Sequence, residues 1–156
     1  MKFYVMWANH DVKRNYWNVH RYQNDTSLLW DGAVDLENFK TIVERVINQY
    51  FMQPNYFKID QEPVFSIFSL HNLIEGFGGL EKTIEALGYF RAETIKAGFP
   101  GLHIQLIGNG APSANLINLI ESLGVNSITK YNWGGPHPED YIQWGVEGME
   151  RIEEWD

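Results

Sequence analysis

Met1-Lys2-Phe3-Tyr4-Val5-Met6-Trp7-Ala8-Asn9-His10-Asp11 opens the chain. An apolar and aromatic run begins at once and ends in Asn9, His10 and Asp11, groups that hydrogen-bond or ionise. Parallel strands buried on both faces read as continuous apolar runs, and ligands in α/β folds sit off their carboxyl ends. The stretch therefore predicts a strand from Lys2 to Ala8 whose tip forms the floor of a site.

The same pattern recurs outward from this start. Strand-like runs stand at Val64 to Phe68, Leu102 to Ile107 and Val125 to Tyr131. Helical spacing alternates with them. Asp35 caps a helix with Phe39, Ile42, Val43, Val46, Ile47 and Tyr50 on one stripe. A second helix runs from about Leu80 to Ala97 and stops at Gly98 and Pro100, and a third spans Asn115 to Leu123 before Gly124. Pro138 starts a last helix with Glu139 and Asp140 in its first turn. Residues 55–59 read as a short extended piece and residues 60–63 as a turn. A polar and aromatic loop from Asn9 to about Val34 is longer than ordered loops usually are, which marks it as functional.

Strands alternating with helices imply right-handed crossovers and a parallel sheet, so the fold class is α/β with parallel βα units. Four such units make either an open sheet or half of a (β/α)8 barrel, which needs about 250 residues. A chain that opens in a strand and closes in a helix reaching Trp155 and Asp156 favours the half-barrel. Residues 1–156 are expected to be one α/β unit, an incomplete segment of a larger barrel.

Composition narrows the partners. Of 156 residues, 44% are hydrophobic and 15% aromatic, enough to build a core. The absence of cysteine excludes disulfides and thiolate metal sites. A net charge of -8 without a basic cluster argues against nucleic acid and an anionic membrane surface. Residues 1–156 are expected to hold no signal peptide or transmembrane run, and the compartment stays open: cytoplasmic, or exported with a parent protein.

The strand tips and the loops after them should share one rim. That rim collects Trp7, Asn9, His10 and Asp11, then Ser69, His71 and Asn72, then Asn109, then Tyr131, Asn132 and Trp133. The long loop adds Tyr16, Trp17, His20, Tyr22, Trp30 and Asp31. Flat aromatics beside amides, imidazoles and carboxylates suit sugars: rings stack on pyranose faces, while Asn, His and Asp hydrogen-bond hydroxyl pairs. Phe39, Tyr50, Phe65, Phe68, Phe90 and Phe99 are expected in the core. Trp7, Trp30 and Trp133 are as well placed for the site as for the core.

Glycoside hydrolysis generally needs two facing carboxyl groups. Asp11 and Asp31 are the best-placed acids, followed by Glu75 and Asp25, and no pair shows motif-grade spacing. Glu44, Glu81, Glu85, Glu93, Glu121, Glu150, Glu153 and Glu154 are expected on solvated helix faces. His10, Asp11 and His20 could hold a cation but lack a ligand signature, so no metal is expected. Gly108-Asn109-Gly110 resembles a dinucleotide fingerprint, yet Ser113 replaces its third glycine and Pro112 lies inside the turn. A nucleotide- or flavin-binding doubly wound domain and a non-catalytic carbohydrate-binding module remain the alternatives.

Trp7-Ala8-Asn9, Trp30-Asp31-Gly32, the run from Tyr56 to Phe68 and the strand from Leu102 to Ile107 fall in the order found in glycoside hydrolase family 99-like proteins. The chain most resembles their WbsX-like branch, often encoded with bacterial polysaccharide genes. That branch shows Trp-Ala-Asn-Glu at the strand end, Trp-Asp-Gly, and Lys-Ile-Asp-Gly-Lys-Pro-Val-Phe before the next strand. The resemblance implies a (β/α)8 barrel, retaining hydrolysis of α-mannoside-type glycans and no cofactor. This chain departs from it by placing His10 where the branch has Glu, and nothing here matches the family's acid-bearing Asn-Glu-Trp-x-Glu segment. Asp31 and His10 are then the candidates for chemistry. Trp7, Asn9, Asp11, Trp30, His71, Asn109, Asn132 and Trp133 would bind the glycan, and the isolated chain would lack the main catalytic acid. The open sheet edges of a half-barrel also invite self-association.

Overall fold

The computed structural model describes residues 1–17, 19–108 and 114–130. In chain order these form β1 (Val5–Trp7), β2 (Val12–Lys13), α1 (Arg14–Trp17), α2 (Val19–Tyr22), β3 (Leu28–Trp30) and α3 (Leu36–Val46), which continues as a π-helical turn over Ile47–Phe51. Next come β4 (Lys58–Ile59), β5 (Glu62–Ile67), α4 (Leu70–Phe77), α5 (Leu80–Lys96), β6 (His103–Ile107), α6 (Ala114–Ser122) and β7 (Ser127–Thr129). The main sheet runs β1-β5-β6-β7, every pairing parallel, with β4 antiparallel against β5.

The expected α/β class with parallel βα units is therefore what the chain forms. Strands succeed one another in chain order with no reversal among the described residues. Right-handed crossovers then lay α3, α4, α5 and α6 on the same face. That face carries the core, where Phe65, Ile67, Ile104 and Leu106 pack with Phe39, Leu87, Phe90 and Ile120. The Phe90 ring is the hub: its centroid lies 5.1 Å from Phe65 and 5.9 Å from both Phe39 and Phe51. Among the described residues the sheet shows no reversal of the kind that makes the switch-point crevice of doubly wound nucleotide-binding folds.

Local chemistry explains most boundaries. Asp35 caps α3 by accepting from the Asn38 amide at 2.8 Å, and Ser69 caps α4 by accepting from Asn72 at 3.2 Å. Gly78, in the left-handed region at φ 80°, ends α4, and Gly79 at φ 127° turns the chain into α5. The sequence alone did not show α4, because its apolar positions are confined between Ser69 and Gly78 and span barely two turns. The first strand is shorter than expected, with Phe3 joined only by a single bridge to Tyr56. The long loop is partly ordered: β2 pairs antiparallel with β3, and the Arg14 and Asn15 amides donate to Ser27 O and Asp25 O at 3.0 and 3.1 Å. The helix expected from Pro138 lies outside the described residues. No helix among those described is long and apolar enough to cross a membrane.

The expected turn narrows to Asp60 and Gln61, since Glu62 and Pro63 already belong to β5. Both turn residues have positive φ, 50° and 69°, as a two-residue hairpin of type I′ requires. Gln61 stands where the resembling branch has glycine, and a side chain there costs about 1 kcal/mol. Gln61→Gly is expected to stabilise the fold by up to about 1 kcal/mol, read as a higher urea midpoint at unchanged m-value.

Tyr56 staples two strands, its hydroxyl donating to Val64 O at 2.7 Å and accepting from Val5 N at 3.2 Å. Burial pushes its phenol from 10.0 up to about 12. A folded-state value above the unfolded one favours the protonated native state, so this stability is complete below pH 10 and is lost as pH rises toward 12. Tyr56→Phe should remove that component of alkaline unfolding, measured as the pH dependence of the urea midpoint.

Candidate functional site

Because β1, β5, β6 and β7 are parallel, their carboxyl ends share one edge. Asn9, 2% exposed, locks the first two tips together. Its Nδ2 donates to Ser69 O at 2.7 Å and its Oδ1 accepts from Ser69 N at 2.8 Å. These bonds extend the pairing begun where Phe68 N donates to Trp7 O at 3.0 Å. The network then spreads outward. Ser69 Oγ donates to Asn72 Oδ1 at 3.0 Å, and Asn72 Nδ2 donates to Asp11 Oδ1 at 2.8 Å. The same Asp11 oxygen accepts from Gly32 N at 3.0 Å. Asn9, Asp11 and the Trp-Asp-Gly motif, distant in sequence, thus meet in one ledge through Ser69 and Asn72.

Two glycines make that meeting possible. A Cβ on Gly32 would lie 2.5 Å from the His10 carbonyl carbon, and one on Gly76 would lie 2.6 Å from Val34 N. The segment from Asp31 to Val34 is wedged between the β1 tip and α4. Sequence reasoning singled out neither glycine's role; the only signal was a glycine following Trp30-Asp31.

The other expected site residues occupy distinct situations. His10 is exposed, its ring centroid 5.0 Å from that of Phe68. Trp30 is 70% exposed beside Asp31. Asp31 accepts from Ala33 N at 2.8 Å, closing a local turn. Trp7 is half-buried and stacks on Phe39 at 5.7 Å, so its ring belongs to the helix-facing layer. His71 is exposed in the first turn of α4, with Nε2 3.4 Å from Glu75 Oε2. Asp25 turns inward to Ser27, whose hydroxyl and backbone amide hold its carboxyl below the usual range, with Arg14 adding to the effect. Asn109, Asn132 and Trp133 lie outside the described residues. Among the described residues no group of three acids or histidines could hold a metal ion.

On the sheet face away from the core, polar Ser66, Gln105 and Ser127 stand in one register row with apolar Met6 across four strands. His103 Nε2 lies 2.8 Å from Ser127 Oγ, while Ser66 Oγ and Gln105 Oε1, both buried, have no hydrogen-bond partner. The alternation His103-Ile104-Gln105-Leu106 in β6 was the legible trace of this two-faced strand.

Residues 1–136 match the family described as glycosyltransferase WbsX. The chain belongs to the WbsX family. That family lies within the group related to the family 99 endo-mannosidases, as the tryptophan and proline motifs suggested. The ledge built by Asn9, Asp11, Gly32, Ser69 and Asn72 falls wholly inside the matched WbsX segment. No curated protein and no solved structure matches the chain.

Asn9→Ala in this WbsX-family chain would strip partners from the Ser69 N–H and C=O, costing about 1–3 kcal/mol. Asp31→Ala, at an exposed local turn, should cost less than about 1 kcal/mol. Urea denaturation of the two variants checks the contrast.

Proposed function

We propose that the ledge is the sugar-binding rim of a glycan-processing domain. The supporting observation is the hydrogen-bonded series Asn9, Ser69, Asn72, Asp11, Gly32, which brings exposed Trp30, His10 and His71 to the strand-tip side of a parallel sheet. Membership of a carbohydrate-related family points the same way. Trp30 offers a flat apolar surface for a pyranose face, and the imidazoles of His10 and His71 offer hydrogen bonds to hydroxyls.

The reaction served is cleavage or transfer at an anomeric carbon. The family description supports transfer, and the resemblance to family 99 supports hydrolysis of α-mannosides. The hydrolytic route draws on carboxyl groups placed across the scissile bond. Asp11 and Asp31 each already hold a backbone amide. Asp11 therefore orients the ledge in this reading, while Asp31 and His10, which occupies the position of the family's acid, stay the candidates for chemistry. The unreversed strand order supports a place in a (β/α)8 barrel, with residues 1–156 as a segment of it. β1 and β7, the edge strands of the described sheet, are where self-association would act.

Isothermal calorimetry with α-mannan oligosaccharides tests this reading. Trp30→Ala is expected to weaken binding about tenfold, the worth of one stacked ring. Turnover of an aryl α-mannoside by the isolated chain should be negligible. Wild-type affinity in the variant, or no oligosaccharide binding by the wild type, removes the proposal.

A further inference from the structure

The chain leaves the ledge at Asp11 and returns to it at Gly32, and residues 12–30 form an arm between these two roots. One atom joins the roots. Asp11 Oδ1 accepts from Gly32 N at 3.0 Å and from Asn72 Nδ2 at 2.8 Å, the latter arriving from the first turn of α4. Glycine 32 lies backbone to backbone on His10, and Gly76 lets Val34 lie directly on α4. Three independent constraints therefore converge on the returning root.

Among the described residues, the arm's own strand pairing is slight. Its sheet has two short strands, pairing Val12 with Trp30 and Lys13 with Leu28. An isolated two-stranded ribbon is marginal in water. All three residues of β3 are exposed, and Tyr16 is 65% exposed. Where the arm points is thus decided at its roots.

The geometry points to Asp11 as a positioning residue: with Asn72 it latches the arm so that Trp30 and Tyr16 prolong the ledge. The ligand class this serves is an oligosaccharide long enough to reach from the strand tips onto the arm, rather than a single sugar or disaccharide. Asp11 and Asn72 touch no sugar in this assignment and act through Gly32 and Trp30. The inference rests on the sugar-binding reading of the ledge for its ligand, while the latch itself can be tested without one.

Trypsin can read the arm directly, since Lys13, Arg14 and Arg21 lie on it. In Asp11→Ala and in Asn72→Ala, cleavage at these residues should accelerate about tenfold or more, while cleavage at Lys82 and Arg91 of α5 stays at the wild-type rate. Asp11→Asn should restore protection, because its amide oxygen can accept the same two N–H groups. In calorimetry with α-mannan oligosaccharides of increasing length, Asp11→Ala should weaken only the longer ones, a discrimination that general destabilisation cannot produce. Unchanged cleavage of the arm in both alanine variants overturns the latch, as does equal acceleration at Lys82 and Arg91. Equal loss of short and long oligosaccharides overturns the positioning role. If the arm is released but the wild type binds no oligosaccharide, the sugar-binding reading falls and the protease result alone sustains the latch.

Discussion

The Asn9 amide has both of its ends committed to the backbone of Ser69, and the geometry of the strand-tip edge follows from that constraint. A nearly fully buried amide cannot exchange these partners for water, so releasing them leaves donors and acceptors unpaired. The β1 and β5 tips are consequently held level. Ser69 is at once the clamped residue and the cap of α4, so the clamp also sets where that helix begins. From the first turn of α4 Asn72 reaches Asp11, and through Asp11 the Trp-Asp-Gly segment is drawn in. Removing Asn9 would loosen strand tip, helix start and arm root together.

Close backbone approach does the remaining work at the edge. Side chains on Gly32 or Gly76 would fill the space that the backbones of His10 and Val34 now occupy. These contacts, together with the Asp11 bonds, leave the aromatic arm outside the core yet fixed in direction at its base. The core is organised differently, around rings clustered on Phe90. Rigid apolar packing builds one sheet face, and directional hydrogen bonds fix the strand tips.

Much of the architecture was legible in the residues. The stripe from Phe39 to Ile47 and the cap at Asp35 announced α3, and Gly98 and Gly124 marked helix ends. The apolar runs gave β5 and β6 within a residue or two of their observed limits. Helix α4 escaped because two turns between a serine and two glycines carry too few periods to register. The arm escaped because neither strand exceeds three residues, too short for a period-two pattern. Of the ledge, the residue types were visible and their contacts were not. Asp11 read as a rim acid and is tied to the Gly32 and Asn72 donors; Trp7, which read as fitting site and core equally well, packs on Phe39.

By itself the sequence determined the alternation of strands and helices, the parallel sense of the sheet and the family, because periodicity and turn chemistry are local properties encoded within a dozen residues. Tertiary structure alone decided that Asn9 meets Ser69, that Asp11 meets Gly32 and Asn72, and which face receives the Trp7 ring. Those outcomes depend on strand register and on how closely two backbones can approach. Both are set by packing between segments some twenty to sixty positions apart, a separation at which no local pattern carries information.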